Sequence, residues 1–430
     1  MKGFKKVTLL ALASSIGLSY GCGSSNLGMY QFPTYQPFSV APQYNMYKRE
    51  GAKKWTIMVH LGADNNLYSY GLKDMDEMAA GLKGEDINVI VLFDGDKTGD
   101  SAIYKIKAGG KDIVDDGGVV IPPSKEINSG DPQVLAKFTQ WAIKTFPADH
   151  YMLDIWDHGS GIFRGNKNDI TKSFAYDDAG GHMNTKDLGP ILSVAAQAAG
   201  KKIDILGFDA CLMGHLEMAY QVKDFCNVLV GSEDTEPGDG WYYKGWFEKL
   251  TNGKCGLTPA AVATCLVDSY GESYQPGGGQ SGSNVTLSAI DINAAIGGFV
   301  PVFNQFAVAL QKGLAANKPV ISKARDNTQS FYNSNCADIG HFMKLVQKES
   351  LPADITGLAS NALAAYQKSI IRVYPGTASK GWGSVADASG MVVYFPKSYH
   401  TYNTTYDNPN EILFAQQPAW GSFLKEFIKK

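Results

Sequence analysis

His158 and Cys211 are the two residues of this 430-residue chain whose types and setting could combine in chemistry. Each closes an apolar run. "YMLDIWDHGSG" from Tyr151 ends on His158 and three small residues, and "KIDILGFDACLMG" from Lys202 ends on Asp209, Ala210 and Cys211. Gly159, Ser160 and Gly161 supply a turn whatever precedes them, so folding alone does not call for the histidine. A cysteine at a strand end just before a helix sits where helix N-terminal N–H groups can stabilise a thiolate. An imidazole on another strand end of the same sheet can protonate a departing amine, and the two together make nucleophilic acyl transfer. Taken singly, each has a structural explanation, because a lone cysteine packs as a small hydrophobe and a lone histidine can satisfy a neighbouring carbonyl.

The elements that must position this pair are legible as period. "KKWTIMVHLG" from Lys53, "INVIVLFDGD" from Ile87, the runs at Tyr151 and Ile203, and "FCNVLVGS" from Phe225 read as five strands. Between them lie helical stretches: "YGLKDMDEMAAGL", "QVLAKFTQWAIKTF", "LGPILSVAAQAAGK" and "LMGHLEMAYQV". Strands alternating with helices predict a three-layer α/β/α sandwich around a mainly parallel sheet, whose function collects at the carboxyl ends of the strands. The acidic loop "EDTEPGDGW", with Glu233, Asp234, Glu236 and Asp239, follows the fifth strand at that same end. Later in the chain "TPAAVATCLVDSYGESY" and "GLASNALAAYQKSI" read as helices. "NVTLSAIDI" and "SGMVVYFP" read as strands that join or extend the sheet.

Composition sets the frame. Hydrophobic residues make up 44% of the chain and the net charge is −3, so a large core is available and nothing favours nucleic acid, which calls for a basic face. Lys2, Lys5 and Lys6 precede an apolar run from Val7 to Ile16, the layout of a signal peptide ending at residue 22, with Cys22 as a bacterial lipidation site or with simple cleavage nearby. Residues 23–50 are rich in Gln, Tyr, Pro, Ser and Asn and read as a flexible tether. A core over 51–250 and a C-terminal part over 251–430 complete the division. Cys226, Cys255, Cys265 and Cys336 suffice for two disulfides in an oxidising compartment, with the pairing open.

Taken together, "HLGADNNL", "WDHGSG", "FDACLMGHLEMAY" and "GSEDTEPGDGW", in this order, resemble the clostripain family (C11) of cysteine peptidases within the caspase and gingipain clan (CD). The resemblance covers residues 53–250 well and the remainder in outline. It implies a caspase-haemoglobinase-like fold and a secreted or lipid-anchored endopeptidase that cuts after Arg or Lys. Carried onto this chain, it makes Cys211 the nucleophile and His158 the general acid and base. The backbone N–H groups of Gly159 and Cys211 form the oxyanion hole, Asp209 is the acid of the primary specificity pocket, and Asp239 is a second wall or a solvated loop carboxylate.

The resemblance also implies calcium, for which Asp177 and Asp178 are candidate ligands. "DGDKTGDSAIYK" starts like a calcium loop but ends on Lys105, where a bidentate Glu is needed. It further implies self-cleavage between His158 and Cys211, with Arg164, Lys167 and Lys172 available and Lys172 the choice. His182 and His215 are read as structural, and Asp64, Asn65 and Asn66 as a strand-to-helix turn. The same acyl-enzyme would serve a transpeptidase or ligase, and a surface binding protein without turnover is the reading from another class.

Overall fold

Five apolar runs become the parallel heart of one sheet. In the computed structural model, which describes residues 52–163, 174–178, 180–280, 284–375 and 385–429, the strands are β1 (Lys53–Gly62), β2 (Ile87–Asp94), β3 (Ala102–Lys107), β4 (Gly110–Ile113), β5 (Ala148–Trp156), β6 (Ile203–Asp209), β7 (Cys226–Gly231), β8 (Thr286–Asp291), β9 (Cys336–Asp338), β10 (Ile370–Pro375) and β11 (Val392–Tyr394). Nine of them form a sheet in the order β10-β8-β7-β6-β5-β1-β2-β3-β4. β2, β1, β5, β6 and β7 run parallel. β8, β10, β3 and β4 continue the two edges antiparallel. The described residues belong to one compact unit, Pro37–Lys430.

Burial on both faces explains why the central strands read as continuous apolar runs rather than as alternation. Side chains of one strand point alternately to opposite faces. Along β1, Trp55, Ile57, Val59 and Leu61 join a core with α1 (Tyr68–Gly81), while Met58 joins the core of the other face with α2 (Pro132–Thr145) and α3 (Leu188–Ala199). After the short α4 (Leu216–Gln221), α5 (Tyr243–Thr251) and α6 (Pro259–Ser273) extend the α1 layer with Trp246, Phe247, Leu266 and Tyr270. α7 (Val300–Asn327), α8 (Ile339–Lys348), α9 (Ala353–Ser369) and α10 (Pro418–Phe427) add to the opposite layer through Phe303, Phe342, Tyr366 and Trp420. The result is the three-layer sandwich that the sequence pattern predicts.

Three expectations are corrected. "SGMVVYFP" does not join the main sheet: β11 pairs with β9 in a separate two-stranded ribbon. Its Val392 N–H bonds Gly214 O at 2.9 Å, which docks the ribbon on the segment that follows Cys211. The β3–β4 hairpin was not foreseen, because its residues alternate only weakly and β4 has no buried position. Of the two disulfides that four cysteines allow, one forms, Cys255–Cys265, and Cys226 and Cys336 are buried thiols on different sheets.

Candidate active site

Strand register brings the sequence-selected pair together. Trp156 at the end of β5 pairs with Asp209 at the end of β6, so His158 and Cys211, each two residues further on, leave neighbouring strands at the same level. Asp157 N–H extends the ladder to Asp209 O at 3.3 Å. Contact between the two loops is closest at Gly159. A Cβ there would stand 2.2 Å from Cys211 O and 3.1 Å from both Cys211 N and Ala210 Cβ, so only the hydrogen of a glycine fits.

Hydrogen bonds hold the histidine loop from below and from the side. The buried Asp157 carboxylate accepts from His158 N–H at 2.5 Å, from Asn65 Nδ2 at 2.9 Å and from Tyr176 N–H. The His158 Nε2 lies 2.8 Å from Asn66 Oδ1, and its ring meets Tyr176 edge-on at 6.2 Å. With Nε2 donating to the amide oxygen, Nδ1 becomes the basic nitrogen. Asn65 bonds Leu67 N–H through its own Oδ1 at 2.8 Å and starts the turn, as expected. Its neighbour Asn66, expected to be scaffold of the site floor within that turn, contacts the His158 ring itself, and nothing in the spacing marks it as that partner.

Cys211 differs from expectation in what faces its sulfur. The helix does not begin beside it: α4 starts at Leu216 and is six residues long. Leu212 takes a left-handed φ of 64°, and Leu212 N–H and Gly214 N–H bond Asp234 O at 3.0 Å and Ser232 O at 2.7 Å. The segment is therefore laid along the loop after β7 instead of entering a helix. The donor that reaches Cys211 Sγ is the Glu236 N–H of that loop, at 3.2 Å. Burial pushes the thiol up, with Asp234 and Asp209 adding to the rise and the Glu236 N–H opposing it.

A cluster of buried carboxyl groups adjoins the nucleophile's strand end. Asp209 accepts from Trp241 N–H at 3.1 and 3.2 Å and from the Tyr243 hydroxyl at 2.9 Å. Tyr243 lies close to two carboxyls, since its oxygen is also 2.7 Å from Asp154 Oδ2. Burial raises Asp209 to about 6 and drives Asp154 and Glu236 well above the ordinary carboxyl range. Gly240, at φ +55°, leaves room for Asp209, because a Cβ there would stand 2.9 Å from its Oδ1. Asp239 stands apart at the rim, where its Oδ1 takes Lys73 Nζ at 2.6 Å.

Residues 59–427 match the sequence profile of the clostripain family of peptidases. The chain belongs to the clostripain family. It is 31% identical over 227 residues to clostripain of Hathewaya histolytica, a match that spans 47% of this chain and 43% of that protein's length. A secreted C11 cysteine protease of Bacteroides thetaiotaomicron in complex with an irreversible peptide inhibitor shares the fold, with a TM-score of 0.64 and 22% identity over 86% of this chain and 99% of that one. An inactive zymogen C11 protease of Parabacteroides distasonis shares it at a TM-score of 0.61 and 15% identity, over 88% and 99% of the two chains.

The other predicted residues of this clostripain-family chain fall as follows. His215 is buried with Nδ1 3.4 Å from Glu217 Oε2, and His182 stacks on Tyr176 at 6.4 Å. Lys172, Arg164, Lys167 and Cys22 lie outside the described residues. The candidate calcium ligand Asp177 accepts at Oδ2 from Ser129 N–H at 2.8 Å and from the Ser129 hydroxyl at 3.3 Å. Asp178 donates its N–H to Asp64 O at 2.9 Å. Among the described residues no group of three or more His, Cys, Asp or Glu side chains is arranged to hold a metal ion.

Proposed function

We propose that the protein is an exported cysteine endopeptidase that cuts after Arg or Lys, with Cys211 as nucleophile and His158 as general acid and base. The observation that carries this reading is the abutment of Gly159 on Cys211, which sets a histidine and a cysteine from adjacent strand ends over a floor of buried carboxylates. Cys211 Sγ attacks the scissile carbonyl carbon, and the developing oxyanion takes the N–H groups of Gly159 and Cys211. His158 accepts the thiol proton and passes it to the departing amine, and water then cleaves the thioester. Asp209 receives the substrate's cationic side chain, whose positive charge offsets the part that Asp234 and Asp209 add to the burial that raises the thiol.

Export rests on the signal-like N-terminus, with Cys22 as lipid anchor, and accords with a fold relative described as secreted. Self-cleavage after Lys172 and a calcium requirement are the remaining parts of the proposal. Matched fluorogenic peptides ending in Arg, Lys, Asp or Leu, with and without calcium, test it, alongside mass analysis of the chain. The expected result is cleavage after Arg and Lys that vanishes in Cys211→Ala. Activity that survives in Cys211→Ala, or a preference for Asp or Leu, would overturn the reading.

A further inference from the structure

Tyr332 is the most exposed large apolar side chain among the described residues, at 74%. The turn that carries it, residues 328–335 between α7 and β9, is nonetheless tied down. The Thr328 hydroxyl donates to Ala324 O at 2.7 Å, Gln329 N–H to His341 Nδ1 at 3.0 Å, and the buried Arg325 gives Nη2 to Ser334 O at 2.9 Å. Phe331, one residue earlier, is buried in the core of the α7 layer. Tyr332 donates its own N–H to Asp234 Oδ1 at 3.0 Å. Asp234 O in turn accepts from the N–H of Leu212, next to Cys211, at 3.0 Å. Two hydrogen bonds with one residue between them hold Tyr332 N–H within about 11 Å of Leu212 N–H. Folding gains little from a ring left in water, so its place on an anchored turn beside the thiol calls for another reason.

The path of a bound peptide follows from the proton. His158 passes it to the departing amine, so the leaving part of the substrate lies toward β5. The part that stays on Cys211 runs the other way, over the loop after β7, because the strand order is β7-β6-β5. Along an extended peptide, successive side chains point to opposite sides and advance about 3.3 Å per residue. The residue before the cut points to Asp209, whose partners Trp241 and Tyr243 belong to the core of the α1 layer. Its predecessor points to the opposite layer, which holds Phe331 and the turn.

We propose that Tyr332 is a specificity-determining residue whose ring forms a wall for the second residue before the cut and takes an apolar side chain such as leucine across its face. This rests on the roles given above to Cys211 and His158 and adds a second position of choice to the substrate. Asp234, bonded to the same turn, disfavours an acidic side chain there.

The test measures kcat/KM of the full chain on N-acetylated fluorogenic amides ending in Leu-Arg, Gly-Arg and Asp-Arg. Leu-Arg is expected to be cleaved at least about tenfold better than Gly-Arg, and Asp-Arg least well, with the difference in KM because the side chain is held alike before and during reaction. Tyr332→Ala should reduce the Leu/Gly ratio to about threefold or less, whereas Tyr332→Phe should keep it, since the ring and not the hydroxyl makes the wall. A Leu/Gly ratio near one in the parent, a ratio that persists in Tyr332→Ala, or an equal fall on all the amides in that variant overturns the role of Tyr332. Cleavage after Arg that is lost in Cys211→Ala would still leave the catalytic reading standing in each of those cases. No cleavage of any Arg amide, or cleavage that survives Cys211→Ala, overturns that reading and the inference with it.

Discussion

Replacing Gly159 by alanine perturbs the candidate site at its narrowest contact. The new Cβ would lie 2.2 Å from Cys211 O, where carbon and oxygen prefer roughly 3.5 Å, so one loop must retreat by about 1 Å. Neither partner is the free end of a flexible side chain. Cys211 O is backbone, and the histidine loop is held by the bonds that Asp157 receives from His158, Asn65 and Tyr176. A 1 Å error between reacting groups costs about 100-fold in rate, and overpacking of this kind costs about 1–3 kcal/mol of stability. Gly159→Ala is therefore expected to stay folded, with a modestly lower Tm, and to lose about 100-fold in kcat/KM on an Arg peptide. The loss should fall on kcat, because the Asp209 carboxyl is held by Trp241 N–H and the Tyr243 hydroxyl rather than by the histidine loop. Near-normal kcat in a folded Gly159→Ala protein would refute the argument that this contact sets the geometry.

Two more predictions follow from single bonds. Asn66 is a positioning residue for His158, so Asn66→Ala should lower kcat by roughly 3- to 10-fold, the worth of one hydrogen bond, at unchanged KM. Asn66→Asp, which keeps an acceptor oxygen, should recover most of the loss, and an equal loss in both variants would refute the assignment. Burial, with Asp177, Asp64 and Glu126 nearby, raises Asp94 to about 7 from 3.8. A group held protonated in the folded state contributes its stability below the unfolded value and loses it as pH rises to 7. Urea unfolding at pH 4.5 and 7.5 should show Asp94→Asn gaining on the parent at the higher pH, by up to about 4 kcal/mol, and no differential gain would refute the proton on Asp94.

How much of this was legible in the sequence depended on the range of the interaction. The central strands were readable because burial on both faces leaves them apolar throughout, and α1, α2 and α3 because one face repeats at helical spacing. β4 was not, since its four residues bury nothing. β11 was misplaced because a buried strand looks the same whichever ribbon receives it. Cys211 and His158 stood out as candidates because chemistry-bearing residues at strand ends break a pattern that folding would not need to break. Glu236 and Asp239 were both visible in the acidic loop, but only the folded chain shows that the Glu236 oxygens are buried while Asp239 pairs with Lys73.

By itself the sequence determined the class of fold, the strands at whose ends Cys211 and His158 stand, and membership of a family through four ordered motifs. All of these are written in local pattern, in the period of apolar residues or in residues adjacent along the chain. The tertiary structure decided that a loop N–H rather than a helix end faces Cys211 Sγ, that Asn66 meets His158, and that Asp239 pairs with Lys73. The first two of these contacts join residues 25 and 92 positions apart. They depend on strand order, register and the course of loops, where many packings satisfy the same local pattern and only the assembled chain selects one.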